Sequence, residues 1–216
     1  MSSTSAETRI CLVRHGETDW NVARRIQGHL DVPLNAIGEQ QAEATARALS
    51  AQRFSACYSS DLARAHRTAA YAAATLRLSP HLDATLRERH YGAFQGLTYD
   101  EAARNFPVAY ARFEARETTA ELPGGESLAD FAARILVALD GIAHRHRGED
   151  VLVVTHGGVL DIAHRLAART PLDAPRTFTI PNAALNWIAH DGDRWHILAW
   201  ACQDHLGGSL DELPRA

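Results

Sequence analysis

Lysine is absent from this 216-residue sequence: all 22 basic residues are arginine. That removes a P-loop lysine, a Schiff-base lysine for pyridoxal phosphate and a lysine general base. Any phosphate site must then be built from arginine, histidine and backbone N–H groups. Cysteine is scarce as well. Cys11, Cys57 and Cys202 are odd in number and widely spaced, offer no disulfide framework and no CxxC, and fit a reducing cytoplasm. No apolar stretch approaches the roughly 18 residues a membrane span needs. The polar segment Met1–Thr8 lacks the apolar stretch of a secretory signal. A surplus of positive charge is missing too. The 22 basic and 26 acidic groups leave a net charge of −4, whereas a nucleic-acid or anionic-membrane binder leans the other way. Neither internal repeats nor low-complexity tracts occur.

What the sequence has is alternation. With 46% hydrophobic residues, a chain of this length can bury about 70% of its unfolded surface in a single domain without a staple. Short β-type runs alternate with longer helical ones, which predicts an α/β fold of three layers, a mostly parallel central sheet flanked by helices. Arg9–Val13 reads as the first buried strand, followed by a polar loop through Asn35. Asn35 caps a helix to about Ala51, with Ala42, Ala46 and Leu49 on one face. Phe54–Tyr58 is a second strand, and Asp61 starts an alanine-rich helix to about Arg77. Residues 86–126 are irregular, with helical pieces at Tyr99–Asn105 and Val108–Arg116, and read as a short cap inserted over one end of the sheet. Ser127–Asp130 has the form of a capping box. The helix it opens keeps Leu128, Phe131, Ile135, Leu139 and Ile142 on one stripe, with Gly148 expected just past its end. Val151–Val154 is a β-branched central strand, Gly158–Ala168 a helix, and Ala184–His190 with Trp195–Trp200 a terminal hairpin turning at Asp191-Gly192.

Three strand ends carry the polar chemistry. Arg14-His15-Gly16-Glu17-Thr18 follows the first strand, Ser59–Arg64 the second, and Thr155-His156-Gly157-Gly158 the Val151–Val154 strand. Ligands of open α/β sheets bind where strand carboxyl ends meet loops. Two histidines and two arginines thus converge on one edge, with the N–H groups of a helix start beside them. A dianionic phosphoryl group is the natural guest, because the arginine fork matches its oxygens. His144-Arg145-His146 is a weaker signal for a metal: on a helix, residues i and i+2 do not share a face. No metal and no cofactor are expected.

The ordered motifs go further. They are RHGET-x-x-N at Arg14–Asn21, R-x-Q-G at Arg25–Gly28, PLN-x-x-G-x-x-QA at Pro33–Ala42 and SSDL-x-RA at Ser59–Ala65. E-x-x-YG at Glu88–Gly92, P-x-GES at Pro123–Ser127 and VVTHGG at Val153–Gly158 complete the set. RHG alone would arise by chance in about 3% of chains this long, taking the residue types as equally frequent. The full set in these strand contexts resembles the histidine phosphatase superfamily, the cofactor-dependent phosphoglycerate mutase-like fold, as one domain over 1–216 with 86–126 as its cap. The resemblance implies His15 as nucleophile, forming a phosphohistidine, with its other nitrogen oriented by the Gly16 carbonyl. Arg14, Arg64, His156, Asn21 and the Gly157 N–H would disperse charge around the phosphoryl group, with Gln27, Gly28 and Tyr91 also lining the site. His156 would act there as a cation, and Glu88 as the acid that protonates the leaving alkoxide and then activates water.

Within that family the sequence leans to the phosphatase branch. Glu88–Gly92 is mutase-like. However, Tyr99 stands where a mutase has a lysine, and residues 86–126 contain no arginine pair, with Arg104, Arg112 and Arg116 standing singly. Pro123-Gly124-Gly125-Glu126-Ser127 is a feature of the shorter phosphatases. The expectation is a metal-independent phosphatase of a small phosphorylated metabolite. A phosphoglycerate mutase is the alternative, and a catalytically silent phospholigand binder a third reading. Trp20, Tyr91, Phe94, Tyr99 and the 104–126 segment are expected to choose among sugar phosphates, phosphoglycerate and its glucosyl ester, phosphoserine and ribazole phosphate. Arg67, where the family pattern has Gln, faces either the cleft or solvent. An edge strand or the terminal hairpin would offer a homodimer contact.

Overall fold

The computed structural model describes residues 7–207. The secretory-signal reading therefore rests mostly on residues outside this range, and the expected domain limits also extend beyond it at both ends. In chain order the elements are β1 (Thr8–Arg14), α1 (Asp19–Val22), α2 (Ala36–Leu49), β2 (Ala56–Ser59), α3 (Ala63–Leu76) and β3 (Pro80–Leu82). The cap contributes α4 (Tyr99–Asn105) and α5 (Pro107–Glu114). Then come α6 (Leu128–Arg145), β4 (Asp150–Thr155), α7 (Gly157–Ala168), β5 (Leu185–His190) and β6 (Trp195–Cys202).

The sheet order is β3-β2-β4-β1-β5-β6. β1, β2, β3 and β4 run parallel, and the β5–β6 hairpin adds an antiparallel edge to β1. Alternate residues of the central strands feed two separate cores. Ile10, Leu12, Val151 and Val153 face Phe131, Ile135 and Leu139 of α6 and Leu160 of α7. Cys11, Val13, Leu152 and Val154 face Leu49 of α2 and Ala69, Ala72 and Ala73 of α3. Both faces of β1 and β4 are covered, which is why these strands read as unbroken apolar runs. The alanines of α3 let it lie close against the sheet.

Two elements escaped the sequence reading. β3 is three residues containing a proline and pairs with β2 alone, an edge position where a missing N–H is tolerated. α1 is closed by a reciprocal cap: the Thr18 side chain accepts from Asn21 N, and the Asn21 side chain accepts from Thr18 N. Boundaries also moved. β2 begins at Ala56 rather than Phe54, and α3 begins at Ala63 with Leu62 as its cap rather than at Asp61. α6 ends at Arg145, so Gly148 lies one position further out than expected, in the following turn, at φ 77°. At its start, Ser127 Oγ accepts from Asp130 N, the serine half of the box.

Residues 86–126 lie over the carboxyl ends of the sheet and carry their own small core of Phe94, Ala102 and Leu122, with Ile26 from the loop after α1. The segment enters and leaves through a narrow neck. Glu126 N donates to His90 O, and Ala93 N donates to Pro123 O, each at 2.8 Å. Gly92 sits at φ 52°, and a β-carbon on it would meet Pro123 O at 2.2 Å, so only glycine fits there. Among the described residues, no helix is long and apolar enough to cross a membrane.

Candidate active site

β1 delivers Arg14 and His15 to the sheet edge. The His15 N–H donates to Thr155 O at the end of β4 (2.9 Å), and Asn182 Nδ2 donates to His15 O (2.8 Å). The imidazole is 3% exposed. Its Nδ1 lies 2.8 Å from Gly16 O, and a carbonyl can only accept, so Nδ1 carries the proton and Nε2 presents a lone pair. Burial, with the Arg64 and Arg14 charges adding to it, holds this imidazole well below its usual pKa, so it is neutral. The loop behind it is fixed by a close backbone approach. Gly16 N donates to Thr68 Oγ1 of α3, and a β-carbon on Gly38 of α2 would lie 2.1 Å from Glu17 O.

Arg64, at the start of α3, is fully buried. Its Nη2 donates to Gly28 O (2.7 Å), Nη1 to Leu30 O (2.9 Å), and Nε points at His15 Nε2 (3.3 Å). Burial lowers its pKa to about 10, which leaves the guanidinium charged at neutral pH. Gly28 enters the site through that carbonyl, holding Arg64, and a carbonyl cannot donate to a phosphate. Arg14 Nη1 donates to Ile180 O (2.8 Å).

His156 caps α7, with its ring centroid 5.3 Å from that of His15. Its Nε2 is 2.8 Å from Ser60 Oγ, and its buried Nδ1 has no hydrogen-bond partner among the described residues. Burial, followed by the Arg64 charge, pushes this imidazole well below its usual pKa. With these neighbours it is neutral, and a cationic His156 requires an anion beside it. Gly157 follows as the first residue of α7, where the N–H groups of a helix start have no intrahelical acceptor.

Glu88 faces these groups from the neck of the cap. Its Oε1 accepts from Arg89 N (2.8 Å) and Oε2 from Gly158 N (2.9 Å). Burial raises its pKa, against the pull of these two N–H groups and of Arg64 and Arg14. A β-carbon on Gly158 would lie 2.1 Å from Oε1, which gives the second glycine of the VVTHGG motif its reason.

Arg14, His15, Arg64, Glu88, Asn21, Gln27, Gly28 and Tyr91 line one pocket of about 390 Å³. Asn21 and Gln27 also build its wall: Gln27 Nε2 donates to Thr18 Oγ1 within the α1 cap (2.9 Å). Tyr91 and Tyr99 continue into an adjoining cleft of about 710 Å³, whose other walls include Arg89, Tyr110, Phe113, Arg116 and Phe131. Phe94, expected at the specificity surface, is instead fully buried in the cap core. Trp20 packs beside Gly96 and is not among the cleft-lining residues. Arg116 is committed to Asp161 (2.7 Å) and Leu172 O (2.8 Å), and Arg112 to Glu117 (2.7 Å). Arg67 pairs with Glu39 at the surface, so it faces solvent. His144 and His146 diverge: one meets Asp140 O and the other Tyr58 and Glu149.

Ser60, Thr68 and Asn182 were missed as site-building residues. Ser60 stood inside a quoted motif, and its place after β2 was the available signal. Asn182 lies in irregular chain before β5 with no local pattern to mark it.

The family described as histidine phosphatase superfamily (branch 1) matches residues 10–203. An Arabidopsis thaliana protein named phosphoglycerate mutase-like protein 4 is 46% identical over 91% of this chain and 86% of its own length. A metal-independent phosphoserine phosphatase of the same plant is 42% identical over 94% of this chain and 84% of its own. Among solved structures, Bacillus stearothermophilus YhfR superposes with a TM-score of 0.83 at 36% identity, covering 92% of this chain and 98% of that one.

Proposed function

The chain belongs to the histidine phosphatase superfamily, and from that premise we propose that it hydrolyses small phosphomonoesters through a phosphohistidine on His15. The observation that carries this reading is the state of His15: neutral, with Nδ1–H held on Gly16 O and the Nε2 lone pair directed into a pocket of buried arginines. In the first step Nε2 attacks phosphorus, the N–P bond forms, and the bond to the ester oxygen breaks. Arg14, Arg64 and the Gly157 N–H face the equatorial oxygens. His156 takes up a proton as the dianion arrives and donates from Nδ1, the nitrogen that otherwise lacks a partner. Glu88 gives its proton to the departing alkoxide. In the second step the Glu88 carboxylate takes a proton from water, whose oxygen attacks phosphorus and frees His15. Such a group contributes about 10²–10⁴ in rate. The substrate's negative charge further favours the protonated carboxyl that burial has already brought within reach.

The cap favours hydrolysis over mutase transfer. A mutase must hold its phosphoglycerate while the group returns, and excluding water is what suppresses the side reaction. Here Tyr99 occupies the lysine position, while Arg112 and Arg116 are engaged by Glu117 and Asp161. The mutase-like relative keeps the second reading in play. With 3-phosphoglycerate and a bisphosphoglycerate primer, phosphate should be released faster than 2-phosphoglycerate forms. Formation of 2-phosphoglycerate without matching phosphate would establish the mutase. A panel including O-phosphoserine and glycerol phosphate, read by phosphate release, then ranks the leaving alcohols.

A further inference from the structure

Glu88 lies in neither helix nor strand. The acid sits in an irregular stretch, residues 87–90, just past a 3-10 turn at Ala84–Leu86, and the backbone of turn and stretch together is gripped from α6 and from the exit of the cap. Arg134 on α6 donates to Thr85 O (2.7 Å), Arg87 O (3.0 Å) and Glu88 O (3.3 Å). The same guanidinium grips both carboxylate oxygens of Glu126, at 2.9 and 2.8 Å. Glu126 then reaches the stretch itself: its Oε2 accepts from His90 N (2.8 Å), and its carbonyl accepts from Arg89 Nε and Nη2 (3.0 and 2.8 Å). On the opposite side His29 Nε2 meets Glu88 O at 2.7 Å. Neither Glu126 nor Arg134 lines the phosphate pocket or the adjoining cleft.

We infer that Glu126 and Arg134 form a clamp that positions Glu88 for proton transfer without touching the substrate. The inference rests on the reading of Glu88 as the acid. The side chains are 24% and 21% exposed, and a bidentate, charge-assisted pair so far out of water holds one geometry. Burial acts against ionisation of Glu126, but the Arg134 hydrogen bonds and the His90 N–H hold its carboxyl below the usual pKa, so the pair stays charged at working pH. The clamp supplies what an irregular segment lacks, fixed partners for the carbonyls of Thr85, Arg87 and Glu88. A catalytic group misplaced by about 1 Å can cost about 10² in rate.

The test compares two esters in Arg134→Met, Glu126→Gln and Arg134→Lys, with Glu88→Gln alongside. p-Nitrophenolate leaves without a proton, whereas the alkoxide of glycerol phosphate needs one. Arg134→Met and Glu126→Gln should lose about 10- to 100-fold in kcat/KM, which reports enzyme phosphorylation and not the later water step, on glycerol phosphate but no more than about threefold on p-nitrophenyl phosphate. Arg134→Lys keeps the charge without the fork and should resemble Arg134→Met. Equal losses on both esters in the milder Glu126→Gln variant would mean a merely structural role and overturn the clamp. Full rescue by Arg134→Lys would also overturn it, in favour of charge alone. If Glu88→Gln discriminates between the esters and the clamp variants do not, the clamp alone fails. If Glu88→Gln itself does not discriminate, the acid assignment falls and takes the clamp with it.

Discussion

In the proposed reaction one nitrogen decides the chemistry at His15. A protonated Nε2 could not attack phosphorus, and burial beside two guanidinium groups keeps it bare. His15→Ala should lower phosphate release at least about a thousandfold, the scale on which nucleophile removal acts. It should abolish acid-labile labelling of the protein at the same time. Turnover within tenfold of the native enzyme would reject the assignment. At this scale the sequence was informative where chemistry and motif coincide. Arg14, His15, Arg64 and His156 were named from their strand-end positions and Glu88 from the family resemblance, and the structure brings them around one cavity or against it. It was uninformative where a residue acts through its backbone. Gly28 O and Leu30 O orient Arg64, and no side-chain pattern announces a carbonyl.

Among the elements, helices with a stripe and a cap were legible and short pieces were not. α2 with Asn35 and α6 with Ser127 follow from periodicity and capping, and α7 from its place after β4. β3 carries no such signal: three residues cannot show a period, and its pairing depends on where β2 lies. The cap's helices were found, yet the side chains facing the cleft could not be sorted from those facing its core, which is how Phe94 was misplaced. α2 also does more than cover the sheet, since Gly38 touches the nucleophile loop through bare backbone. Gly38→Ala should push α2 from Glu17, because the atom met is a carbonyl that cannot swing away. The expected cost is about 1–3 kcal/mol of stability, read from denaturant midpoints, together with a fall in kcat. A variant unchanged in both would show that the contact relaxes freely.

For the molecule as a whole, the buried histidines couple folding and binding to protons. An unfolded His156 protonates near 6.5, while in the folded protein it resists protonation until well below that. The unfolded state therefore binds more protons as pH falls below about 6.5, and stability declines there. His156→Asn should flatten that decline by about 0.7 kcal/mol per pH unit at pH 6.5, rising towards about 1.4 kcal/mol per pH unit near pH 5. Denaturation curves from pH 7 to 5 measure it, and an unchanged slope would refute the assignment. Tungstate, a dianion with no proton of its own near neutrality, should bind with uptake of protons. The buffer dependence of its binding enthalpy reports this. EDTA should leave turnover unaltered, since arginine and histidine supply the charge that a metal would bring.

The neck of the cap has a consequence for exchange between enzymes. Because residues 90 and 126, and 93 and 123, meet in hydrogen bonds, the chain between them leaves and re-enters the body at one place. Doubling such a loop adds only about 0.6 kcal/mol to the entropy of closure. The groups proposed to handle phosphate stay on the strand ends, while Tyr99, Tyr110, Phe113 and Arg116 travel with the loop. Segment 94–122 is thus a cassette: another of different length could be spliced between the same two rungs, changing which alcohol is accepted and leaving the phosphorus chemistry in place.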